Sequence, residues 1–377
     1  MISLRPGSHL FRLLQLLSIA GEFPTASLSV LGSVRTLSEL VRKLESKQSI
    51  RLMDGSIVGP FRVFRVSGKL PNKTLRFHGD ALPLLDAVHP DAREHYLGAF
   101  FNHHFPGNIQ HTIRNHRVAE VLACFLMAGI ECHPLLLPQL QNSEIMRVIP
   151  DWARFYPARM VKQLSGDEYN KTMYSRMVGA VFYPGGQYTV YNTRSAVMRW
   201  KGLGEIKAAV SLDELARWNN GAQPGVIGSF SALLFGRNQE IALETLRAAA
   251  KDRNRAHHFN SIYYHIHFIP LDANGIRLLR ILTLPDWHEL VLDSLFPPEM
   301  RITGVSNFDA QREGVFYISH LDSDIAKLIR IRQSVSKEMI RVLCFPWQVP
   351  FIRSYLGEDT MIRPVEIGEL EVMLGLT

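Results

Sequence analysis

In the first eighty residues three helical patterns give way to a basic, alternating segment, and that order leaves few folds open. Leu10, Leu13, Leu14 and Leu17 recur at i, i+3, i+4 and i+7, the spacing of one buried helix face. Gly21 suits a left-handed cap at the end of that helix. A short second helix is expected over Thr25 to Leu31, then a tight turn at Gly32-Ser33. A third helix is expected from Ser33 to about Gln48, with Val34, Leu37, Leu40, Val41 and Leu44 on its apolar stripe. Ser33 can cap it by accepting from early backbone amides. Asp54-Gly55 marks a hairpin turn. Phe61 to Ser67 alternates apolar and basic residues as a strand does, Lys69 to Lys73 is a basic loop, and Thr74 to His78 is another strand. Three helices followed by a basic hairpin is the order of a winged helix-turn-helix.

Charge agrees with that order. Residues 1–80 hold twelve Lys or Arg against five Asp or Glu, while the other 297 residues hold thirty of each, so the net charge of +7 lies in the first fifth of the chain. A cationic patch confined to one small module suits a polyanion, because neutralising phosphates is what such a patch supplies. Within the third helix Ser33, Arg35, Thr36, Ser38, Arg42 and Lys43 lie off the apolar stripe. A recognition helix enters the major groove by its N-terminal end, which places Arg35, Thr36 and Ser38 against base edges and Arg42 and Lys43 against phosphate. Arg62, Arg65, Lys69 and Lys73 can flank the adjacent backbone. Double-stranded DNA is thus the expected partner, with a homodimer and a protein-binding role for the winged helix as further options.

The length of 377 residues suits about two or three domains, and 46% hydrophobic with 20% charged residues is ordinary for a globular chain. Leu10 to Ala20 superficially resembles a secretory signal. Its apolar run after Arg12 is at the short end of such segments, and its periodicity serves a core. No other stretch is long and apolar enough to span a membrane. Cys124, Cys132 and Cys344 form no C-x-x-C and sit among apolar residues, as buried thiols of a reduced cytoplasm do. Residues 81–130 read as a helical connector, with helices over Ala92–Phe101 and Ile109–Ala128. From 131 to 377 strands alternate with helices, which argues α/β, with α+β as an alternative. Strands are expected at Met177–Tyr183, Tyr188–Asn192, Val226–Phe235, Tyr263–Pro270, Gly314–Ser319 and Ile340–Phe345. Helices are expected at Leu212–Trp218, Gln239–Asp252 and Leu284–Leu295.

Three segments carry a family likeness: Val34 to Glu45, His111 to Glu120, and Ser175 to Phe182. With the winged-helix order they resemble the replication-relaxation proteins of plasmids and conjugative elements in Gram-positive bacteria. The resemblance implies a winged helix followed by a domain similar to restriction-endonuclease-like folds. It also implies a role in replication initiation, relaxosome assembly or transcriptional control, with replication or conjugation proteins as partners. Restriction-like sites need two or three carboxylates around a divalent metal, Mg²⁺ or Mn²⁺, and usually a Lys. Glu205-Ile206-Lys207 has the local E-x-K form, and a strand there would put both side chains on one face. The family's Pro-Asp-Gly and its acid on the returning strand correspond to Met177-Val178-Gly179 and Val190-Tyr191-Asn192, neither of which has a carboxylate. Glu120 is the remaining candidate acid, and the set is poor for a metal. The expectation is therefore a domain kept for binding, with no cofactor, and a metal-dependent nickase as the rival.

Histidine offers a second rival. Tyr263, His265 and His267 alternate along an expected strand and would share a face, with Tyr263 as a nicking nucleophile. His257-His258, His103-His104 and His288 match no zinc spacing. Gly202-Leu203-Gly204 and Gly225 to Gly228 lack the Lys-Ser/Thr of a phosphate loop. His111 and His116 with Arg114 and Arg117 would form a basic stripe on one helix.

Overall fold

The computed structural model describes residues 2–105, 108–132, 152–161, 175–198, 203–218, 230–251, 262–304, 306–334 and 339–376. Helices combine with sheets that mix parallel and antiparallel strands, so the chain is α/β. It divides into two compact units: Met1–Leu137 with Phe155–Pro157, and Pro138–Arg154 with Ala158–Thr377. No helix among the described residues is long and apolar enough to cross a membrane.

The first unit opens with β1 (Ile2–Ser3), α1 (His9–Ala20), β2 (Glu22–Pro24), a 3-10 helix over Thr25–Leu31, and α2 (Val34–Leu44). Ser8 Oγ accepts from the Phe11 amide at 3.2 Å to start α1, and Gly21 ends it at φ 73°. That positive φ favours glycine, as the sequence suggested. Ser33 does cap α2, accepting from the Thr36 amide at 3.4 Å. The helix stops at Leu44 rather than near Gln48, because β3 (Gln48–Arg51) takes over the chain and pairs with β4 (Ile57–Phe61) and with β1. The expected strand over Phe61–Ser67 is in fact two. β4 ends at Phe61 and β5 (Phe64–Ser67) begins in another sheet. Between them Val63 donates to Leu44 O and accepts from the His78 amide, both at 2.9 Å, which carries the chain from one sheet to the next. β5 pairs antiparallel with β6 (Thr74–Phe77), and β6 with β2, giving the order β2-β6-β5.

Beyond these lie α3 (Ala92–Ala99) and α4 (Ile109–Ala128), the latter capped by Asn108 and ended by Gly129 at φ 80°. α4 packs on α1, β2 and the 3-10 helix. Leu13, Leu14, Leu17, Phe23, Leu31, Leu122 and Phe125 are buried in this unit. His116 does not join a basic stripe. It is buried, and its Nε2 lies 3.0 Å from Thr74 Oγ1.

β7 (Arg154–Pro157) falls where the units divide, and α5 (Ala158–Val161) follows it. The second unit continues with β8 (Gly179–Tyr183), β9 (Gly186–Arg194), α6 (Leu203–Trp218), β10 (Phe230–Gly236), α7 (Gln239–Lys251) and β11 (Tyr263–Pro270). β8 and β9 form an antiparallel hairpin, and β9, β10 and β11 run parallel. After α8 (Ala273–Leu282) and α9 (Trp287–Leu295) comes a second sheet, ordered β12 (Ala310–Arg312), β13 (Val315–Ser319), β14 (Ile340–Cys344) and β15 (Met361–Pro364). α10 (Ile325–Ser334) leaves β13 and packs on β11, while α11 (Val349–Leu356) and α12 (Ile367–Met373) complete the unit. The helix expected over Leu284–Leu295 is α9, which begins at Trp287, and α8 before it was not expected. Cys124, Cys132 and Cys344 are buried and form no disulfide with one another, and burial pushes the Cys344 thiol up to about 12.

Candidate functional site

In the first unit, α2 buries only Leu37, Val41 and Leu44, a stripe narrower than the five residues expected. Val34 is 51% exposed and Leu40 half-buried. The polar residues keep the rest of the surface: Ser33, Arg35, Thr36, Ser38, Arg42 and Lys43 are all exposed. Arg62, Arg65, Lys69 and Lys73 are exposed as well. The Leu44–Val63 backbone bond and a 3.2 Å bond from the Val66 amide to Glu45 Oε1 fasten the end of α2 to the start of β5. Arg42 and Lys43 thus share a corner with Arg62 and Arg65. Lys69 and Lys73 belong to the β5–β6 loop, whose Lys73 carbonyl accepts from the Thr25 amide at 2.9 Å. Two features reduce this field. Arg35 pairs with Glu39 at 3.2 Å in full solvent, a contact worth little. Arg76 is turned inward onto the buried Glu22.

The expected nuclease residues do not assemble. Glu205-Ile206-Lys207 lies in α6, not on a strand. Two helical steps turn a side chain by about 200°, so the buried Glu205 and the exposed Lys207 face opposite ways. Glu205 sits near Tyr191 and Tyr263, beneath one face of the sheet. Glu120 belongs to the other unit, where it is buried and accepts from Ser27 Oγ at 2.6 Å.

Tyr263 is corrected too. A β-bulge between Phe230 and Ser231 pairs those residues with Tyr263 and His265, leaving Tyr264 as the extra residue. The bulge breaks the alternation. Tyr263 therefore joins Ile266 and Phe268 on the core face, with its hydroxyl 2.7 Å from that of Tyr191. Burial pushes its phenol above the usual tyrosine range, which is the wrong direction for a nucleophile.

His265 and His267 do share a face, rings parallel within 9° and centroids 5.9 Å apart. They line a cavity of about 1180 Å³, together with Tyr183, Tyr188, Ser231, Tyr264, Trp287 and Arg301 among others. Each imidazole is fixed from behind. His265 Nδ1 lies 2.8 Å from Asp324 Oδ2, and His267 Nδ1 lies 2.8 Å from the Asp322 carbonyl. Asp324 caps α10, accepting from the Ala326 amide at 3.0 Å and from the Ile266 amide at 2.9 Å. Burial opposes its ionisation, but the hydrogen bond from His265 and the nearby Arg330 guanidinium hold its carboxyl below the usual range. Burial lowers His267 from the ordinary imidazole value, so it is neutral at pH 7. His320, beside them, is pulled down to about 4 by burial. Lys327 donates to both oxygens of the buried Asp309, at 2.8 and 2.6 Å. Ser323, between the two aspartates, holds a left-handed φ of 54°.

So many buried ionisable groups are costly, and such clusters concentrate where chemistry or binding occurs. Among the described residues no group of three or more His, Cys, Asp or Glu is arranged to hold a metal ion. Sequence reasoning found the two histidines but missed Asp309, Asp322, Asp324, Lys327 and Arg330. Asp322-Ser323-Asp324 before the apolar Ile325-Ala326 was the available signal, since that is a helix-capping pattern. His257 and His258 lie outside the described residues. No family model, no curated protein and no solved structure matches the chain.

Proposed function

We propose that the chain is a double-stranded DNA-binding protein whose first unit is a winged helix-turn-helix. The observation that carries this reading is α2. It is anchored by three apolar residues, leaves its polar side chains exposed, and is bonded at its C-terminal end to Val63, beside Arg62. Strand pairing supports it: β2, between the first two helices, pairs with β6, which pairs with β5. In a winged helix α2 is the recognition helix and the Gly68–Lys73 loop the wing. Arg35, Thr36 and Ser38 would meet base edges, and Arg42, Lys43, Arg62, Arg65, Lys69 and Lys73 phosphates.

The second unit is read as a degenerate nuclease-like body kept for binding. An antiparallel hairpin joined through a helix to a parallel strand suits that fold, while β8 (GAVFY) and β9 (GQYTVYNTR) contain no carboxylate. The whole is then an accessory of a plasmid or other mobile element, as the replication-relaxation resemblance implies.

The test is binding of the full chain to duplex DNA across a salt series. Each phosphate contact contributes a slope of about −0.9 in log K against log salt. Changing Arg35, Arg42 and Lys43 together to Ala should flatten that slope by about two units, from the two phosphate contacts of Arg42 and Lys43. Unchanged binding would remove the reading.

A further inference from the structure

Ser231 is half-buried and lines the cavity of the second unit, where it forms a set with His265 and Asp324 that duplex binding leaves unused. β11 is an edge strand of its sheet, with β10 on one side. On its other side runs the Asp322–Asp324 segment. A bridge between His267 and Asp324 joins that segment to β11, and the Phe268 amide donates to the Ser323 carbonyl at 2.9 Å. Asp324 therefore holds His265 Nδ1 from the side away from β10. The His265 and His267 rings stack along the strand, so their planes lie across it. Nε2 adjoins Cδ2, the ring atom on the other side of Cγ from Nδ1. Anchoring Nδ1 on the outer side thus turns Nε2 across β11 toward β10.

The residue of β10 in register with His265 is Ser231. Neighbouring strands lie about 4.8 Å apart, so the two side chains are adjacent on one face. The bulge at Tyr264 makes this pairing, because without the extra residue Ser231 would stand opposite Tyr264. Bulges re-aim side chains beside active sites. A hydroxyl, an imidazole and a buried carboxylate in this order are the parts of an activated nucleophile. A carboxylate only accepts, so His265 donates through Nδ1 and, in the neutral ring, presents the Nε2 lone pair. Asp324 is fixed in turn by the Ile266 and Ala326 amides and by Arg330. Among the described residues no hydrogen bond joins Ser231 to His265. Such contacts are often long before substrate binds and close with it.

The cavity also bounds the substrate. Its cations Arg301, Lys327 and Arg330 are bonded to Glu289, Asp293, Asp309 and Asp324, and Asp322 adds another carboxylate to the wall. Carboxylates outnumber cations there, which repels an anion. Tyr183, Tyr264 and Phe308 supply aromatic surface, which accepts apolar groups and organic cations alike.

We propose that Ser231, His265 and Asp324 form a nucleophile–base–carboxylate triad that hydrolyses uncharged or cationic carboxylic esters through an acyl-enzyme. Ser231 Oγ bonds to the ester carbonyl carbon as its proton passes to His265 Nε2. The bond from that carbon to the alcohol oxygen breaks, and the leaving oxygen takes the proton from His265. Water then attacks the acyl group, giving a proton to His265, and the carboxylic acid leaves as Ser231 Oγ regains its hydrogen. Ser231 and His265 are the catalytic residues, and Asp324 is a positioning residue.

An uncharged alkyl fluorophosphonate tests the nucleophile, since Ser231 Oγ would displace its fluoride and keep the phosphorus. Peptide mass spectrometry of the treated full-length protein should place the adduct on Ser231. His265→Ala should lower the maximal labelling rate by about 10²- to 10⁴-fold, the usual worth of a general base, and leave the half-saturating concentration unchanged. The His265 side chain is 35% exposed, so this variant should keep the wild-type melting temperature. Asp324→Asn, assayed well below its own melting temperature, should also slow labelling at an unchanged half-saturating concentration. A merely structural lesion would instead lower the fraction of protein that can be labelled. A 4-nitrophenyl ester bearing a trimethylammonium group should be cleaved about tenfold or more faster than one bearing a carboxylate. No adduct on Ser231 overturns the triad, and so does labelling of folded His265→Ala protein at the wild-type rate. Equal cleavage of the two esters, or faster cleavage of the anionic one, overturns the substrate class. None of these outcomes touches duplex binding by the first unit.

Discussion

Asp324 has no solvent exposure, yet it is the residue around which the second unit's polar cluster is organised. A buried carboxylate without partners would sooner take up a proton than stay charged. Here two backbone amides, His265 and Arg330 all favour the anion, and they outweigh burial. The folded carboxyl therefore titrates below its unfolded value of about 3.9. A depressed acid contributes stability that is present above the unfolded pKa and fades as pH falls toward the folded one. Chemical denaturation at a series of pH values should show this. The stability gap between wild type and Asp324→Asn should be constant from neutrality down to about pH 5 and shrink below about pH 4. A gap that instead widened in acid would mean the carboxyl is protonated in the fold. Lys327 follows the same logic with the sign reversed: burial disfavours its charge, and Asp309, Asp322 and Asp324 restore it.

Single elements were legible where one physical signal governed them. Ile109–Ala128 appears with the expected ends because Asn108 and Gly129 cap it chemically. Ser33 and the Leu37-Val41-Leu44 stripe fixed the start and face of α2, and exposure of Arg35, Thr36, Ser38, Arg42 and Lys43 followed from that stripe. The failures have physical causes as definite as these. Glu205 and Lys207 satisfy an E-x-K pattern that means one face only on a strand, and nothing within the triplet distinguishes strand from helix. The bulge at Tyr264 depends on pairing with β10, a long-range match invisible to local alternation. It exchanged the expected Tyr263 for Tyr264 beside the histidines. Asp309 reaches the cavity from a residue adjoining β12, distant in sequence from β11. One tight approach of elements can be checked directly. A Cβ on Gly275, in the first turn of α8, would meet the Pro270 carbonyl at the end of β11 at 1.9 Å. Gly275→Ala should destabilise by on the order of 1–3 kcal/mol. Gly98→Ala, on α3 with nothing near its Cβ, should be neutral or stabilise by less than about 1 kcal/mol. Equal thermal shifts for the two would show that the α8–β11 contact relaxes freely.

Across the whole molecule, the separation of charge coincides with the separation into units. The excess of seven positive charges lies in residues 1–80, inside the first unit, and the remainder is balanced overall. Long-range attraction to a polyanion depends on such a field, whereas a balanced surface contributes little beyond a Debye length of about 8 Å at physiological salt. Location should therefore matter more than number when charge is removed. Arg312, Arg353 and Arg363 are exposed on the second unit, and together they match the charge of Arg35, Arg42 and Lys43. If the proposed DNA-binding role holds, changing those three to Ala should leave both the duplex affinity and its salt slope within a factor of about two of wild type. The equal change on α2 should reduce both. Measured side by side, the two variants have the same net charge, so any difference between them reports position alone. Were they to lose binding equally, the protein would be responding to total charge, and a dedicated reader in the first unit would have no support.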